Sequence, residues 1–336
     1  MTTTPFCWQR FKAVIDSASS ILLISHVRPD ADAIGSQIAF ARALADYGKK
    51  VLLVNSDPVP PNLAFLDPEH WIRPLGTLTE SERTALDQVD LLVSLDTSSW
   101  AQLGEMGQVI RDSQAAKIVL DHHAKGDDIG AERFVDADAD ATGTLVFKAI
   151  EALGLPLKYD YAWPLFAAIS TDTGWFRFSS VTSDTYRTAA ALIDAGVRPD
   201  DLYKIIYEQE TFGRLKLIGF ALANAKRVLN GKAILTCLTL ENFEHAGALA
   251  SESEDIVNMT LAVAGTEAAV IMVEQETGGF KLSFRSRCDL DCSVLAAEFG
   301  GGGHKKAAGA FLNLPKEEAE TKILAALTEH YNRLAK

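Results

Sequence analysis

The stretch that decides the fold is SHVRPDADAIGS, residues 25–36. It carries one imidazole, His26, and two carboxylates, Asp30 and Asp32, directly after the apolar run Ile21, Leu22, Leu23, Ile24. That run reads as a buried strand. Residues 33–47 then place apolar side chains with helical period and stop at Gly48. The three polar side chains therefore lie on a strand-to-helix turn. In open α/β sheets ligands bind at such turns, because side chains and helix N-termini from several strand carboxyl ends converge there.

Working outward, residues 51–55 form a second apolar run, closed by the proline-rich DPVPPN, which cannot continue a strand. Residues 91–95 end in Asp96, Thr97, Ser98, Ser99, and residues 118–120 end in Asp121, His122, His123. Helical periods over 142–153 and 163–169 follow, and the second delivers Ser170, Thr171, Asp172, Thr173, Gly174. Alternating strands and helices predict a parallel sheet. All its carboxyl ends point one way, so turns distant in sequence face a common crevice.

Residues 182–230 read as helical throughout and are expected to connect two domains. Strand patterns return at 233–238, 268–274 and 281–285, with helical patterns at 255–264, 293–299 and 316–334. They predict a second, smaller α/β domain. Within it lie FRSRCDLDC and the glycine-rich GGGGHKKAAGA, residues 300–310, whose glycines are expected to form a loop.

A chain of 336 residues exceeds what one core usually holds, which agrees with two domains. Its four cysteines follow no disulfide framework, which points to a reducing compartment and a cytoplasmic location. The amino terminus lacks the basic and apolar regions of a leader, and no apolar run is long enough to span a bilayer. The net charge of −13 argues against a surface that holds long nucleic acid, which needs an extended basic stripe.

Taken singly, each acidic cluster has a bland explanation. Asp30 and Asp32 are what a turn and a helix N-cap favour, Asp96 and Asp172 suit ordinary turns, and one of His122 and His123 could simply be packed. Jointly these explanations weaken, because four turns each present Asp, or Asp with His. No cysteine joins the set, so thiolate zinc is disfavoured. Mixed imidazole and carboxylate donors suit manganese, with magnesium the alternative. Six candidates with one shared carboxylate fit a pair of ions roughly 3.5–4 Å apart, as in two-metal phosphatases and nucleases.

At these residues the chain resembles a known family. HVRPDADAIGS, the LDT around Asp96, Asp121-His122-His123 and STDTG are similar to the four successive motifs of the DHH phosphoesterases. FRSR with FGGGGHKKAAG is similar to the DHH-associated C-terminal domain, in the form found in bifunctional nanoRNase (oligoribonuclease) and pAp phosphatase proteins. The resemblance implies a parallel-sheet DHH domain over 1–181, a helical connector over 182–230 and an α/β substrate-binding domain over 231–336. It implies that His26, Asp30 and Asp96 hold one manganese ion, and that Asp32, Asp96, His122 and Asp172 hold a second. His123 would face the substrate, with Asp121 orienting an imidazole. Arg285, Gly301, Gly302, Gly303 and His304 would take up a phosphate or nucleotide. One departure is Gln102, where the family commonly has arginine.

The function so implied is hydrolysis of very short RNA to mononucleotides and of 3′-phosphoadenosine-5′-phosphate to AMP. The expected partners are short single-stranded oligoribonucleotides and small nucleotides, not long nucleic acid or membrane, and a homodimer stays open. Rival readings are a phosphodiesterase for linear or cyclic dinucleotides (pApA, c-di-AMP), a RecJ-like exonuclease and a non-catalytic nucleotide sensor. An inorganic pyrophosphatase is a further rival, although it would carry a lysine and arginine cluster in place of the glycine-histidine stretch.

Overall fold

The computed structural model describes residues 7–334. The amino-terminal reading over residues 1–6 and the last two residues of the second domain lie outside them. Two compact units divide between Ile206 and Tyr207.

The first unit opens with helix α1 (Trp8–Ser17), after which strand β1 (Ser20–Ile24) leads through the 25–30 turn into α2 (Ala31–Asp46). Next come β2 (Lys50–Asn55), β3 (Ile72–Pro74), α3 (Glu80–Asp87), β4 (Leu91–Leu95), α4 (Trp100–Leu103) and α5 (Met106–Asp112). The unit continues with β5 (Ala116–Asp121), β6 (Glu132–Val135), α6 (Thr142–Ala152), α7 (Tyr159–Asp172), α8 (Ser183–Asp194) and α9 (Pro199–Tyr207).

All six strands are parallel, in the order β3-β2-β1-β4-β5-β6. The order reverses between β1 and β4. That switch point is where the two neighbouring loops diverge and leave a crevice at the carboxyl edge. Both sheet faces are covered. Ile21 and Leu23 join the core under α2, α6 and α7, while Leu22 and Ile24 join the core under α4 and α5. Side chains alternate along a strand, so burial on both faces requires the unbroken apolar run seen in the sequence. Each such side chain, fully buried here, contributes about 1.5–3 kcal/mol.

Helix α7 is longer than its apolar pattern over 163–169. Pro164 lies inside it and removes one rung of the hydrogen-bond ladder. The Asp160 carbonyl accepts instead from Arg42 Nη1 at 3.1 Å. Asp172 is consequently the last helical residue rather than a turn residue.

The second unit contains α10 (Phe212–Ala223), β7 (Lys226–Val228), β8 (Ala233–Leu238), α11 (Leu240–Ala246), α12 (Ile256–Thr260), β9 (Ala268–Glu274) and β10 (Phe280–Ser286). It ends with α13 (Cys292–Ala297), β11 (Gly302–His304), β12 (Ala307–Leu312) and α14 (Lys316–Leu334). Its sheet is mixed, in the order β11-β12-β10-β9-β8-β7, with β8 and β9 parallel and the other pairs antiparallel.

The stretch expected as an all-helical connector is thus divided, with α8 and most of α9 in the first unit and α10 in the second. Three local expectations are corrected. The helical pattern up to residue 230 breaks after Ala223, because Lys226–Val228 pair with β8 as an edge strand. The helix expected over 255–264 spans only Ile256–Thr260: Asp255 at its start is left-handed, with φ 61°, and residues 261–265 are turns and a bend. Gly302 and Gly303 belong to an edge strand, not to an open loop. A side chain at Gly301 would place Cβ 2.1 Å from the Gly309 carbonyl oxygen, so the pairing requires its absence.

No helix among the described residues is long and apolar enough to cross a membrane.

Candidate metal centre

The ends of β1, β4 and β5 and the ends of α2 and α7 bring six of the expected ligands together. Donor atoms of His26, Asp30 and Asp96 lie within 4.8 Å of one another, as do those of Asp32, His122 and Asp172. Asp96 links the two groups. Its Oδ2 is 3.3 Å from His26 Nε2, and its Oδ1 is 3.6 Å from His122 Nε2. With metal–ligand bonds near 2.1 Å, donors around one ion stand roughly 3–3.5 Å apart. Asp172 Oδ2 lies 3.6 Å, and Asp32 Oδ2 4.0 Å, from the same His122 nitrogen.

Local geometry explains how each side chain is held. Asp30 is the N-cap of α2, its Oδ1 accepting from the Ala33 amide at 3.0 Å, and that oxygen lies 3.9 Å from His26 Nε2. Capping and ligation are therefore compatible uses of one carboxylate. Asp96 adopts φ 64°, a left-handed conformation that aspartate tolerates better than most residues. Its turn is braced by Gln102, whose Oε1 accepts from Thr97 Oγ1 at 2.9 Å and whose carbonyl accepts from the Val27 amide at 2.7 Å. The residue standing in place of the family's arginine thus ties the β1 and β4 turns together.

Both inner imidazoles are oriented for ligation. The Nδ1 of His26 lies 2.9 Å from the Val27 carbonyl and that of His122 lies 3.3 Å from the Ala139 carbonyl, which leaves each Nε2 directed at carboxylates. Imidazole ligands are commonly fixed by such a bond from the other ring nitrogen. His123 differs. Its Nδ1 is 2.8 Å from Asp121 Oδ1, and just over half of its side chain is exposed. Asp96, His122 and His123 also converge as a group, but Asp121 already occupies that His123 nitrogen.

The electrostatics call for a cation. Burial and then the charge of Asp96 push Asp32 well above the usual carboxylate range. Burial likewise lifts Asp172 to about 6, with Asp96 adding to it and His122 opposing it. Burial works against a charge on His26, yet the bonds to Asp96 and Val27 outweigh it and raise that group. His123 is raised to about 9, chiefly by its bond to Asp121. Asp121 is fully buried and its Oδ2 has no partner among the described residues, so the nearby imidazolium is its compensating charge. The donor set fits a pair of hard or borderline divalent ions.

One functional element had no sequence signal of its own: residues 139–144, leading into α6. The Ala139 carbonyl faces His122 Nδ1, and the amides of Thr142 and Gly143 donate to Asp32 Oδ2 and Oδ1, both at 2.8 Å. A carboxylate at a helix N-terminus meets free N–H groups and the positive end of the dipole. Only the alignment of TGT with a helix start could have signalled it.

In the second unit, Ala307 pairs with His304 on one side and with Arg285 on the other. Directly paired residues share a sheet face, so imidazole and guanidinium flank a methyl-sized floor. The neighbouring row on that face is Gly302, Gly309 and Ser283, which leaves the floor nearly bare. Arg285 is about one quarter exposed, with Asp255 Oδ1 at 3.9 Å from its Nη2. This shelf has the charge and shape to hold a phosphate.

Comparison with known proteins agrees with the two-unit layout. A pattern described as the DHH family N-terminal domain matches residues 20–169, and the DHHA1 domain pattern matches residues 230–332. A bifunctional oligoribonuclease and PAP phosphatase NrnA from Thermus thermophilus is 31% identical over 98% of this chain and 97% of its own. The protein of that name from Bacillus subtilis is 29% identical over 87% of this chain and 88% of its own. Among solved structures, an exopolyphosphatase-related protein from Bacteroides fragilis superposes with a TM-score of 0.81 at 27% identity, covering 98% of this chain and 97% of that one. An exonuclease RecJ bound to manganese shares the fold, with a TM-score of 0.52 at 17% identity, covering 100% of this chain and 96% of that one.

Proposed function

Because the chain belongs to the DHH family of phosphoesterases and carries a DHHA1 domain, we propose that it hydrolyses very short oligoribonucleotides and 3′-phosphoadenosine-5′-phosphate, with two manganese ions as cofactors. The observation that carries this reading is Asp96 set between His26 Nε2 and His122 Nε2, at 3.3 and 3.6 Å. His26, Asp30 and Asp96 would hold one ion, and Asp32, Asp96, His122 and Asp172 the other. Such a pair, when bound, supplies an activated water and offsets charge on the phosphoryl oxygens.

The remaining chemistry belongs to the chain. His123, held by Asp121, donates to a phosphate oxygen or protonates the departing ribose oxygen. Asp121 keeps the proton on Nδ1 and thereby fixes which ring nitrogen faces the substrate. The Arg285 and His304 shelf, with Gly301, Gly302 and Gly303 beside it, would take the phosphate or nucleotide of the substrate. The full-length likeness to proteins named as oligoribonuclease and PAP phosphatase supports the substrate class. The acidic surface supports the short length, because a long strand would meet a net charge of −13.

The test is turnover per end, with manganese at fixed ionic strength, on single-stranded RNA of two, five, ten and twenty-four nucleotides, alongside 3′-phosphoadenosine-5′-phosphate and the linear dinucleotide pApA. The fastest rate should fall on two to five nucleotides, with phosphate released from the bisphosphate. A rate that climbs with length favours a RecJ-like exonuclease and overturns the proposal.

A further inference from the structure

Directly after Asp172 the backbone does something costly. Gly174, Trp175 and Phe176 are all left-handed, with φ of 58°, 59° and 60°. Glycine adopts this freely, whereas for the two aromatic residues it costs roughly 1–2 kcal/mol each. The run is held by Thr173. Its carbonyl accepts from the Arg177 and Phe178 amides, both at 3.0 Å, and its hydroxyl accepts from the Phe176 amide at 3.0 Å. Trp175 and Phe176 are partly buried against Phe166, at centroid distances of 6.1 and 5.7 Å, and this offsets the strain.

The consequence is what the turn leaves outside. Arg177 is exposed, and Phe178 keeps half of its surface in solvent. The tip of the Phe178 ring is seated on Gly174, where an added Cβ would lie 2.4 Å from Cζ. Gly174 is two residues from Asp172, so their Cα atoms lie at most about 7.6 Å apart, and the ring packed on Gly174 sits beside the helix end that carries Asp172. The Arg177 guanidinium lies 5.5 Å from the Phe178 centroid. Strained backbone clusters at ligand contacts, and here it presents an exposed aromatic and a cation next to the helix end that carries Asp172.

We infer that Phe178, with Arg177 beside it, is the platform on which a nucleobase of the substrate stacks while its phosphate is held at the carboxylate and imidazole cluster. The inference rests on the reading of this unit as a nucleotide phosphoesterase. Stacking on an aromatic face is tolerant of base identity, and an arginine beside the ring adds attraction to the base and to a flanking phosphate. The platform therefore reads the presence of a base, not which base it is.

The test compares wild type, Phe178→Ala and Phe178→Trp on the diribonucleotide ApA and on analogues lacking one base or the other, with manganese. Phe178→Ala should raise KM for ApA roughly five- to over a hundredfold, equivalent to about 1–3 kcal/mol of stacking. Its KM on one of the two base-lacking analogues should stay within about twofold of wild type, and Phe178→Trp should restore ApA. Equal losses on all three substrates, or none on ApA, overturn the inference. A separate arm keeps it distinct from the activity: AMP and ribose 5-phosphate are titrated into the manganese-loaded proteins by calorimetry. Wild type should prefer AMP and Phe178→Ala should lose that preference, even if ApA proves not to be a substrate. Equal preference in both proteins overturns the platform and leaves the proposed activity standing.

Discussion

The hydroxyl of Thr142 donates to Asp96 Oδ1 at 2.9 Å, while the amide of the same residue donates to Asp32 Oδ2 at 2.8 Å. One residue at the start of α6 thus fixes a carboxylate at the end of β4 and another in the first turn of α2. These bonds occupy part of each carboxylate and aim the rest. Their loss should be felt in metal affinity more than in folding.

Thr142→Val keeps the branched shape and the amide but removes the hydroxyl. Manganese activation of hydrolysis should require about 10–100-fold more metal, as for other groups that orient ligands. The melting temperature of the metal-free protein should change little. Activation curves that superpose on wild type would show that the Asp96 bond is incidental.

Asp96→Asn retains a residue that tolerates φ near 64° and removes the charge shared by the two imidazoles. Activity should fall to background on every phosphoester, with an unchanged circular dichroism spectrum. Asp96→Ala should behave alike. Retention of most of the wild-type rate at saturating manganese would show that Asp96 is not a bridge.

Stripping divalent ions should destabilise the first unit, since Asp32, Asp96 and Asp172 then repel one another. Ions at 100 times their dissociation constant would restore about 2.7 kcal/mol. The metal-free protein should also depend on pH in a definite direction. Asp172 is raised to about 6 from an ordinary value near 4, and Asp32 is raised as well, so the folded state binds protons more tightly than the unfolded state. Stability is greatest below the unfolded value and falls as pH rises through about 6. Thermal melts of chelated protein between pH 4.5 and 7.5 should show that decline, and manganese should flatten it. A metal-free melting temperature that rises across this range would contradict the assignment.

Arg285→Ala and His304→Ala address the second unit's shelf. Each removes a donor to the charged phosphate, and Arg285→Ala removes a positive charge as well; such a bond is worth about 1.5–3 kcal/mol, so KM for nucleotide substrates should rise roughly ten- to over a hundredfold. Manganese activation should be unaffected. A small chromogenic phosphodiester should lose less than the nucleotides do. The same loss on both would mean that these residues do not bind nucleotide.

Much of this protein is legible in one dimension. The apolar runs ending in Asp and His specify strands buried on both faces, because a strand covered on two sides has no place for alternating polar residues. The runs of 3.6 period specify α2, α6 and α14, because such a stripe has no other way to leave water. The six acidic and imidazole residues are conspicuous by type and position, since each follows a strand or ends a helix.

Non-local pairing decided the rest. Nothing in residues 139–144 announces that their amides hold Asp32, because a backbone donor is the same atom in every residue and only proximity gives it a partner. The strand that replaced a helix at Lys226–Val228, and the short edge strand within the glycine stretch, exist because another strand lies alongside. The placing of His304 and Arg285 on either side of Ala307 is a matter of register, which a shift by one residue would reverse. The sequence by itself determined which groups are candidates for the centre. Their distances follow from a strand order that reverses between β1 and β4, and that order is set by packing across the whole sheet.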